Sequence, residues 1–246
     1  MGGRAVVAGG TRGVGLAVAR KLCTRGTDVL LVYGDSDTDA KDATGMLAGL
    51  PGGATAVRAN LAAPGGILTV LDDVRERWGA LDVFVHAAAR RSPAPALQAT
   101  ARQVRDDLAV AVAPLLAAAP ALTELMSGRP GRIVAVSSSG AHRAVPGYLT
   151  QGLAKAALES LIRYLAVEFA PLGVSVNAVS TALLDKGADS GGPAEVRDTL
   201  AARTPAGRLT TPEDVANAVS LLCRPEADWI HGQVVTVDGG LSLVAG

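Results

Sequence analysis

Short apolar segments alternate with helical patterns along the whole chain, and this alternation constrains the fold more than any other feature. The predicted strands are RAVVAGG (4–10), DVLLVYG (28–34), TAVRANL (55–61), LDVFVHA (81–87), RIVAVSS (132–138), VSVNAVS (174–180) and GQVVTVDGG (232–240). Most are continuous apolar runs, which is typical of strands buried on both faces. The sequence therefore predicts an α/β fold: one domain, residues 1–246, with a doubly wound parallel sheet of about seven strands and helices on both faces.

Helical periodicity fills the intervals between these strands. Helices are predicted over residues 14–26, 66–79, about 100–126, from Lys155 to about 170, and 212–223. The segment LDKGADSGGP (184–193), which follows the sixth strand, is the most loop-like part of the chain. Ligands of open α/β sheets bind at the carboxyl ends of the strands. We therefore interpret residues 184–200 as a substrate-binding loop or lid, with a plain surface connection as the alternative.

Composition excludes several classes of protein. Of the 246 residues, 49% are hydrophobic and the formal net charge is zero, so the chain can bury a core and shows no basic excess for nucleic acid. No uninterrupted apolar run is long enough to predict a membrane span, and no apolar signal segment is evident, so a cytoplasmic protein is expected. Cys23 and Cys223 are expected to be buried thiols in a reducing compartment. Three scattered histidines predict no metal site.

A glycine-rich turn, VVAGGTRGVGLAVA (6–19), joins the first strand to the first helix. Glycine permits a tight turn and close approach of backbone N–H groups to a phosphate, while the helix N-terminus adds partial positive charge. The G-x-x-x-G-x-G spacing resembles the TGxxxGxG turn of the short-chain dehydrogenase/reductase family, with Ala8 in place of the usual threonine. This resemblance implies a Rossmann-like sheet and a nicotinamide dinucleotide held by Gly9, Thr11, Arg12, Gly13, Val14 and Gly15.

The resemblance covers most of the chain. GRIVAVSSS (131–139) resembles the family's fifth strand and its serine, and AKAALESLIRYLAVEFAPLGVSVNAVS (154–180) resembles its next helix and strand. TPAGRLTTPEDVANAVSLL (204–222) and GQVVTVDGG (232–240) resemble its C-terminal signature. Together these motifs imply an NAD(P)H-dependent oxidoreductase.

The stretch GYLTQGLAK (147–155) contains the candidate catalytic pair, Tyr148 and Lys155. Most family members carry Y-x-x-x-K, but the residue four before Lys155 is Gln151, which cannot act as a proton donor. Tyr148 lies about two helical turns before Lys155, so the two side chains can face the same way. The Y-x6-K spacing resembles that of enoyl-thioester reductases, most closely the third class of enoyl-acyl-carrier-protein reductases. The resemblance implies that Tyr148 donates to the substrate and that Lys155 holds the nicotinamide ribose hydroxyls.

Substrate chemistry gives the displaced tyrosine a reason. In a 2-enoyl thioester, hydride adds to C3 while negative charge collects on the C1 oxygen. C3 and C1 are about 2.5 Å apart. The side chain that donates to the C1 oxygen should therefore be displaced relative to the nicotinamide, compared with its position in an enzyme that reduces a ketone. A free tyrosine has a pKa of about 10, so it is protonated at neutral pH and can donate.

Three other positions bear on the reaction type. Ser138 matches the serine that positions carbonyls in the family's ketoreductases, with Ser137 and Ser139 as close competitors. The asparagine of the usual catalytic tetrad corresponds to Ala111, which argues against ordinary ketoreductase chemistry. His86 begins the segment that replaces the family's NNAG, and we interpret it as a packing or locally hydrogen-bonded residue.

The remaining cofactor contacts are implied by the resemblance alone. Ala87 and Ala88 are small enough to let the backbone approach the cofactor. Asn60 and Leu61 are expected to flank the adenine. The backbone around Leu184 is expected to face the nicotinamide carboxamide.

The choice between NADPH and NADH is balanced, and we favour NADPH. Arg12 and Ser36 resemble residues that contact a 2′-phosphate. Asp35 and Asp37 place negative charge nearby, which repels a phosphate but can accept a hydrogen bond from a free ribose hydroxyl, so NADH stays open.

The sequence thus predicts an enzyme that reduces the 2,3 double bond of an enoyl thioester on acyl carrier protein or coenzyme A, in fatty-acid or polyketide biosynthesis. The first alternative is a 3-ketoacyl-thioester or other carbonyl reductase, and the second is a catalytically inactive cofactor-binding homologue. A homotetramer is expected from the resemblance.

Overall fold

The computed structural model describes residues 3–90, 92–187, 190 and 193–244. In these ranges the strands are β1 (Arg4–Ala8), β2 (Asp28–Tyr33), β3 (Ala54–Arg58), β4 (Val83–His86), β5 (Gly131–Ser138), β6 (Val174–Thr181) and β7 (Val234–Thr236). All neighbouring strands pair in parallel, in the order β3-β2-β1-β4-β5-β6-β7. The predicted fold class is therefore confirmed.

Helices cover both faces of the sheet. They are α1 (Gly13–Thr24), α2 (Asp37–Leu47), α3 (Gly66–Trp78), α4 (Ala101–Ala111), α5 (Ala113–Leu125), α6 (Leu149–Phe169), α7 (Ala194–Arg203) and α8 (Pro212–Leu222). Alternate residues of each strand enter opposite apolar clusters: Val6 packs on the side of α3, α5 and α6, and Val7 on the side of α1, α2 and α8. This two-sided burial explains the continuous apolar strands of the sequence.

Three helical features differ from the sequence prediction. Helix α2 was not predicted, although Ser36 caps it by accepting a hydrogen bond from the Asp39 backbone at 3.1 Å. Helix α7 occupies most of the second half of the predicted loop. The predicted helix of residues 100–126 is two helices, which meet at Val112. Pro114 supplies no backbone N–H, so the hydrogen-bond ladder is interrupted at this point.

The stretch Ala101–Leu125 is, among the described residues, apolar and long enough by composition to cross a membrane, contrary to the sequence expectation. It comprises the two separate helices α4 and α5. Leu115 and Leu122 are fully buried in the cluster formed with α3 and α6. Core packing thus explains part of the apolar composition, since 33% of the apolar window is buried.

The parallel arrangement brings the carboxyl ends of all strands to one edge. The glycine turn follows β1, the His86 segment follows β4, and Ser138 and Thr181 are paired at the ends of β5 and β6. This edge carries nearly all of the predicted functional residues.

Candidate active site

Contacts within the glycine turn show why its glycines are required. A Cβ atom on Gly9 would lie 2.8 Å from the backbone of Ala88, and one on Gly15 would lie 1.9 Å from the carbonyl oxygen of Gly9. Gly9 and Gly13 also have positive φ angles, 78° and 51°, which glycine adopts without strain. A Cβ on Gly13 would enter open space. The turn therefore exposes its backbone at the N-terminus of α1, where an anion can approach.

The other residues of this region support the turn. Thr11 is buried, and Val14 packs against the apolar cluster on the α1 side of the sheet. The Ala87 backbone N–H donates to the carbonyl of Ala8 at 2.8 Å, which continues the pairing of β1 with β4. Ala87 and Ala88 thus lie against the turn, as the resemblance implies.

Arg12 and Ser36 converge on the N-terminus of α2. The Arg12 side chain is 79% exposed, with Nη1 3.3 Å from Oδ2 of Asp39. Ser36 Oγ accepts from the backbone of the same Asp39. The carboxylate of Asp37 instead accepts a hydrogen bond from the Tyr33 hydroxyl at 2.9 Å. An exposed cation and a hydroxyl therefore lie together at the N-terminus of α2, although Asp39 competes for the cation.

Tyr148, Ser138 and Lys155 lie together at the carboxyl end of β5. Tyr148 immediately precedes α6, and its hydroxyl lies close enough to Ser138 for the two side chains to interact. Its ring packs over Gly140, where an added Cβ would lie 2.5 Å from Cδ1. Lys155 is buried, and its Nζ donates to the carbonyl of Val136 at 2.7 Å. A solvated surface role for Lys155 is thereby excluded.

Burial sets the protonation of this group. It raises the pKa of Tyr148, and the negative charge of Asp107 adds to the effect while the bond from Ser138 opposes it. The phenol is therefore protonated at neutral pH. Burial also lowers the pKa of Lys155 to about 8, against the opposing effect of Glu159. The ammonium thus predominates at pH 7 and is lost under mildly alkaline conditions.

His86 is fully buried at the end of β4. Its Nε2 lies 3.1 Å from both the Val110 and the Ala111 carbonyl oxygens, at the junction of α4 and α5. Because both neighbours are acceptors, Nε2 carries the proton. The local hydrogen-bonding role predicted for His86 is thus confirmed. One of its two acceptors is the carbonyl of Ala111, the residue that stands where most family members have the tetrad asparagine.

We expect His86 to make the fold acid-sensitive. Burial, together with the nearby Lys155 charge, lowers the pKa of His86 to about 4 from its usual 6.5. Between these values the unfolded chain binds a proton that the folded chain does not, so stability falls as the pH falls through this window, by ~3 kcal/mol in all. The free energy of unfolding, measured with denaturant, should fall less between pH 7 and pH 4 in His86→Asn than in the native protein. An equal loss in both proteins would contradict this assignment.

The adenine and lid positions are partly resolved by the structure. Asn60 Oδ1 accepts from the Ala62 backbone at 3.0 Å and closes the turn after β3, and Leu61 packs against the core. Leu184 pairs with Thr210 in an isolated bridge. Of the predicted lid, residues 188, 189, 191 and 192 lie outside the described residues. Their cofactor and lid roles stay predictions.

Sequence reasoning missed three buried polar side chains at this edge. Thr181 Oγ1 has no hydrogen-bond partner among the described residues, and Asp107 accepts from Ser92 Oγ at 2.7 Å. Glu159 is 1% exposed. A polar residue inside an apolar run, as at Thr181, is the sequence signal that could have found one of them.

Cys23 is buried, as the sequence predicts, whereas Cys223 is only partly buried. Neither Cys23 nor Cys223 forms a disulfide. Burial raises the pKa of the Cys23 thiol to about 11 and that of the Cys223 thiol to about 12. Neither is therefore an activated nucleophile. The described residues include no cluster that could hold a metal ion.

The family model described as enoyl-(acyl carrier protein) reductase matches residues 8–242. The 1-cyclohexenylcarbonyl-CoA reductase of Streptomyces collinus is 35% identical over 98% of this chain and 87% of its own length. The chain belongs to the short-chain dehydrogenase/reductase family. It is accordingly an NAD(P)-dependent oxidoreductase.

Two further family members widen the range of chemistry. The cis-4-hydroxycyclohexanecarboxylate dehydrogenase of Sinomonas cyclohexanicum is also 35% identical, over 98% of this chain and 96% of its own length. A double mutant of a short-chain dehydrogenase/reductase from Serratia marcescens superposes with a TM-score of 0.90 at 26% identity, covering 98% of both chains. Members with similar sequences thus include both a reductase of an acyl-CoA and a dehydrogenase of a hydroxycarboxylate.

The residues present fit the dinucleotide of this family. Gly9 and Gly15 form a backbone cradle that any Cβ would obstruct. Thr181, at the carboxyl end of β6, has a buried hydroxyl without a partner among the described residues. Since unpaired buried hydroxyls are rare in folded proteins, this one is available to a bound group.

Proposed function

We propose that this oxidoreductase reduces the 2,3 double bond of an enoyl thioester. The observation that carries the proposal is the position of the Tyr148 hydroxyl beside Ser138, while Gln151 occupies the usual place of the catalytic tyrosine. The similarity to an enoyl-CoA reductase supports it. When bound, a reduced nicotinamide supplies the hydride that adds to C3.

Tyr148 would act on the oxygen at which negative charge develops. Its protonated hydroxyl donates to the thioester C1 oxygen, and this bond strengthens as the enolate forms, so it stabilises the transition state more than the substrate. Ser138, which lies beside the phenol, would help to fix the direction of that hydroxyl. The enolate is then protonated at C2.

Lys155 would supply positive charge beneath this oxygen and hold the nicotinamide ribose. Its Nζ is fixed by the Val136 carbonyl, two residues before Ser138. A buried cation in this place favours the developing anion because the surroundings screen it little.

The second candidate is carbonyl reduction. A serine and a tyrosine that lie side by side, as Ser138 and Tyr148 do, can equally well bind a ketone oxygen. The similarity to a hydroxycyclohexanecarboxylate dehydrogenase favours this reading. The absence of an asparagine side chain at Ala111 weighs against it.

The two functions are separated by assaying crotonyl and acetoacetyl thioesters, each as the coenzyme A and acyl-carrier-protein derivative, with NADPH and NADH. The proposal expects faster nicotinamide oxidation with the crotonyl compounds. Turnover of the acetoacetyl compounds alone would make the protein a carbonyl reductase. Cofactor binding without any turnover would support the inactive homologue.

Residues 184–200 are proposed as a lid over the substrate. No residue of α7 is fully buried, so this helix is held by few apolar contacts. Segments with little buried surface open at low free-energy cost, which suits a cover that must admit an acyl chain. Leu184 and Asp185 anchor the first part of the segment at Thr210, where the Asp185 N–H donates at 2.9 Å.

NADPH is the proposed reductant, and Arg12 tests the choice. Arg12→Gln is expected to weaken NADPH binding by about 10-fold or more while leaving NADH binding unchanged, since a charge-assisted hydrogen bond contributes about 1.5–3 kcal/mol. Arg20→Gln, on the helix that begins directly after Arg12 and paired with Glu213, is the matched control. Nicotinamide fluorescence titration measures both affinities. Equal NADPH affinity in Arg12→Gln and the native protein would contradict the assignment.

A further inference from the structure

A buried carboxylate lies one helical turn beyond the catalytic lysine, and the reaction described above does not use it. Glu159 is 1% exposed. Its Oε1 accepts a hydrogen bond from Ser137 Oγ at 2.5 Å, and its Oε2 lies 2.5 Å from Nε2 of His142. Burying an ionised carboxylate costs several kcal/mol unless charges and donors compensate it. Such a residue needs partners of opposite charge.

Lys155 is the partner within the core. It precedes Glu159 by four residues on α6, so the two side chains lie on the same face of the helix. Lys155 is itself buried, with a neutral carbonyl as its hydrogen-bond acceptor. Burial favours loss of the Lys155 proton, and the negative charge of Glu159 opposes that loss. The charge of Glu159 thus makes the charge of Lys155 more tolerable in the core.

The other contacts of Glu159 reach the catalytic turn. Ser137 adjoins Ser138 at the end of β5, and His142 follows the short 3-10 helix Ser139–Ala141. That helix contains Gly140, on which the Tyr148 ring packs. Glu159 therefore contacts the turn on both sides of the residues that touch Tyr148.

We propose that Glu159 is a positioning residue, which holds the Ser137–His142 turn against α6 and places a buried carboxylate on the helix face that carries Lys155. Two other titratable groups interact with members of this pair, and two more lie at the same edge of the sheet. His86 on β4 lies near Lys155, and His142 contacts Glu159 from the turn. Tyr148 and Asp107 interact with each other between α6 and α4.

The lysine content allows a direct test. The chain has only four lysines, Lys21, Lys41, Lys155 and Lys186, so lysine labelled with ¹³C at Cε gives few NMR signals to titrate. Glu159→Gln preserves the shape and one acceptor oxygen but removes the charge. We expect its Lys155 titration midpoint to fall by about one to three pH units relative to the native protein.

Glu168→Gln, which removes an exposed carboxylate from the same helix, is the matched control and should leave Lys155 unchanged. An unchanged Lys155 titration in Glu159→Gln would overturn the proposal. If that variant does not fold, Glu159→Asp is measured instead, because its carboxylate is withdrawn by one methylene. A displaced Lys155 midpoint then supports the coupling, and the native midpoint contradicts it.

The inference rests on the role of Lys155 in the proposed function, but the titration requires no acyl substrate. If no thioester is reduced while Glu159→Gln still lowers the Lys155 midpoint, the reaction is wrong and the positioning role stands. If crotonyl thioester is reduced, the decline of kcat/KM at alkaline pH should shift in Glu159→Gln to the same extent as the Lys155 midpoint. An unshifted decline would count against the positioning role alone.

Discussion

Tyr148→Phe is expected to lower kcat for the enoyl thioester by about 100- to 1000-fold, the loss typical of removing one donor from a developing oxyanion. The ring and its packing on Gly140 remain, so the fold and the cofactor affinity should stay native. Steady-state assays with crotonyl thioester, together with nicotinamide fluorescence titration, measure both quantities.

Gln151→Ala is the control for this change. Gln151 occupies the position of the catalytic tyrosine in most family members, yet it is not the donor here. We expect kcat within about twofold of native for this variant. Native activity in Tyr148→Phe, or a collapse of activity in Gln151→Ala, would show that the donor has been misassigned.

Lys155→Met is expected to lower kcat/KM by about 100-fold or more. The substitution keeps an unbranched side chain one atom shorter but removes the ammonium that would contact the ribose. It also leaves the buried Val136 carbonyl without this donor, which costs about 1–3 kcal/mol. Cofactor affinity should fall together with turnover, in contrast to Tyr148→Phe. Lys21→Met, at the end of α1, controls for loss of a lysine elsewhere. Unchanged cofactor affinity in Lys155→Met would contradict the proposed ribose contact.

The pKa of Lys155 gives the sign of the accompanying pH dependence. Because that pKa is lowered to about 8, the ammonium is present below this pH and lost as the pH rises through it. Native kcat/KM should therefore decline above about pH 8. A rate that stays constant to pH 10 would show that the charge of Lys155 is not needed.

The sequence was sufficient for the parts of the structure that are set by local pattern. Continuous apolar strands predicted the parallel sheet, and the glycine spacing predicted the turn whose Gly15 has no room for a Cβ. The Tyr148 and Lys155 spacing indicated a shared location, and the structure brings both to the end of β5. The strand ends were less accurate, since the predicted strand 232–240 is reduced to Val234–Thr236.

Features that depend on distant contacts could not be read from the sequence. The break at Val112 separates two apolar helices whose composition is continuous. In the sequence, Glu159 looks like a surface glutamate of an amphipathic helix. Its burial comes from β5 and the following turn, which enclose it only in the folded chain. The partner of His86 is a backbone carbonyl some 25 residues away, and backbone carbonyls leave no trace in residue identity.

The most direct measurement of the central claim is the distance between the Tyr148 hydroxyl and the acyl oxygen in a crystal structure with reduced cofactor and an unreactive enoyl-thioester analogue. The proposed function predicts a hydrogen bond of about 2.5–3.0 Å, the range for O–H···O bonds, with Lys155 close to the ribose. A Tyr148 hydroxyl directed away from the acyl oxygen, with another residue donating in its place, would contradict it.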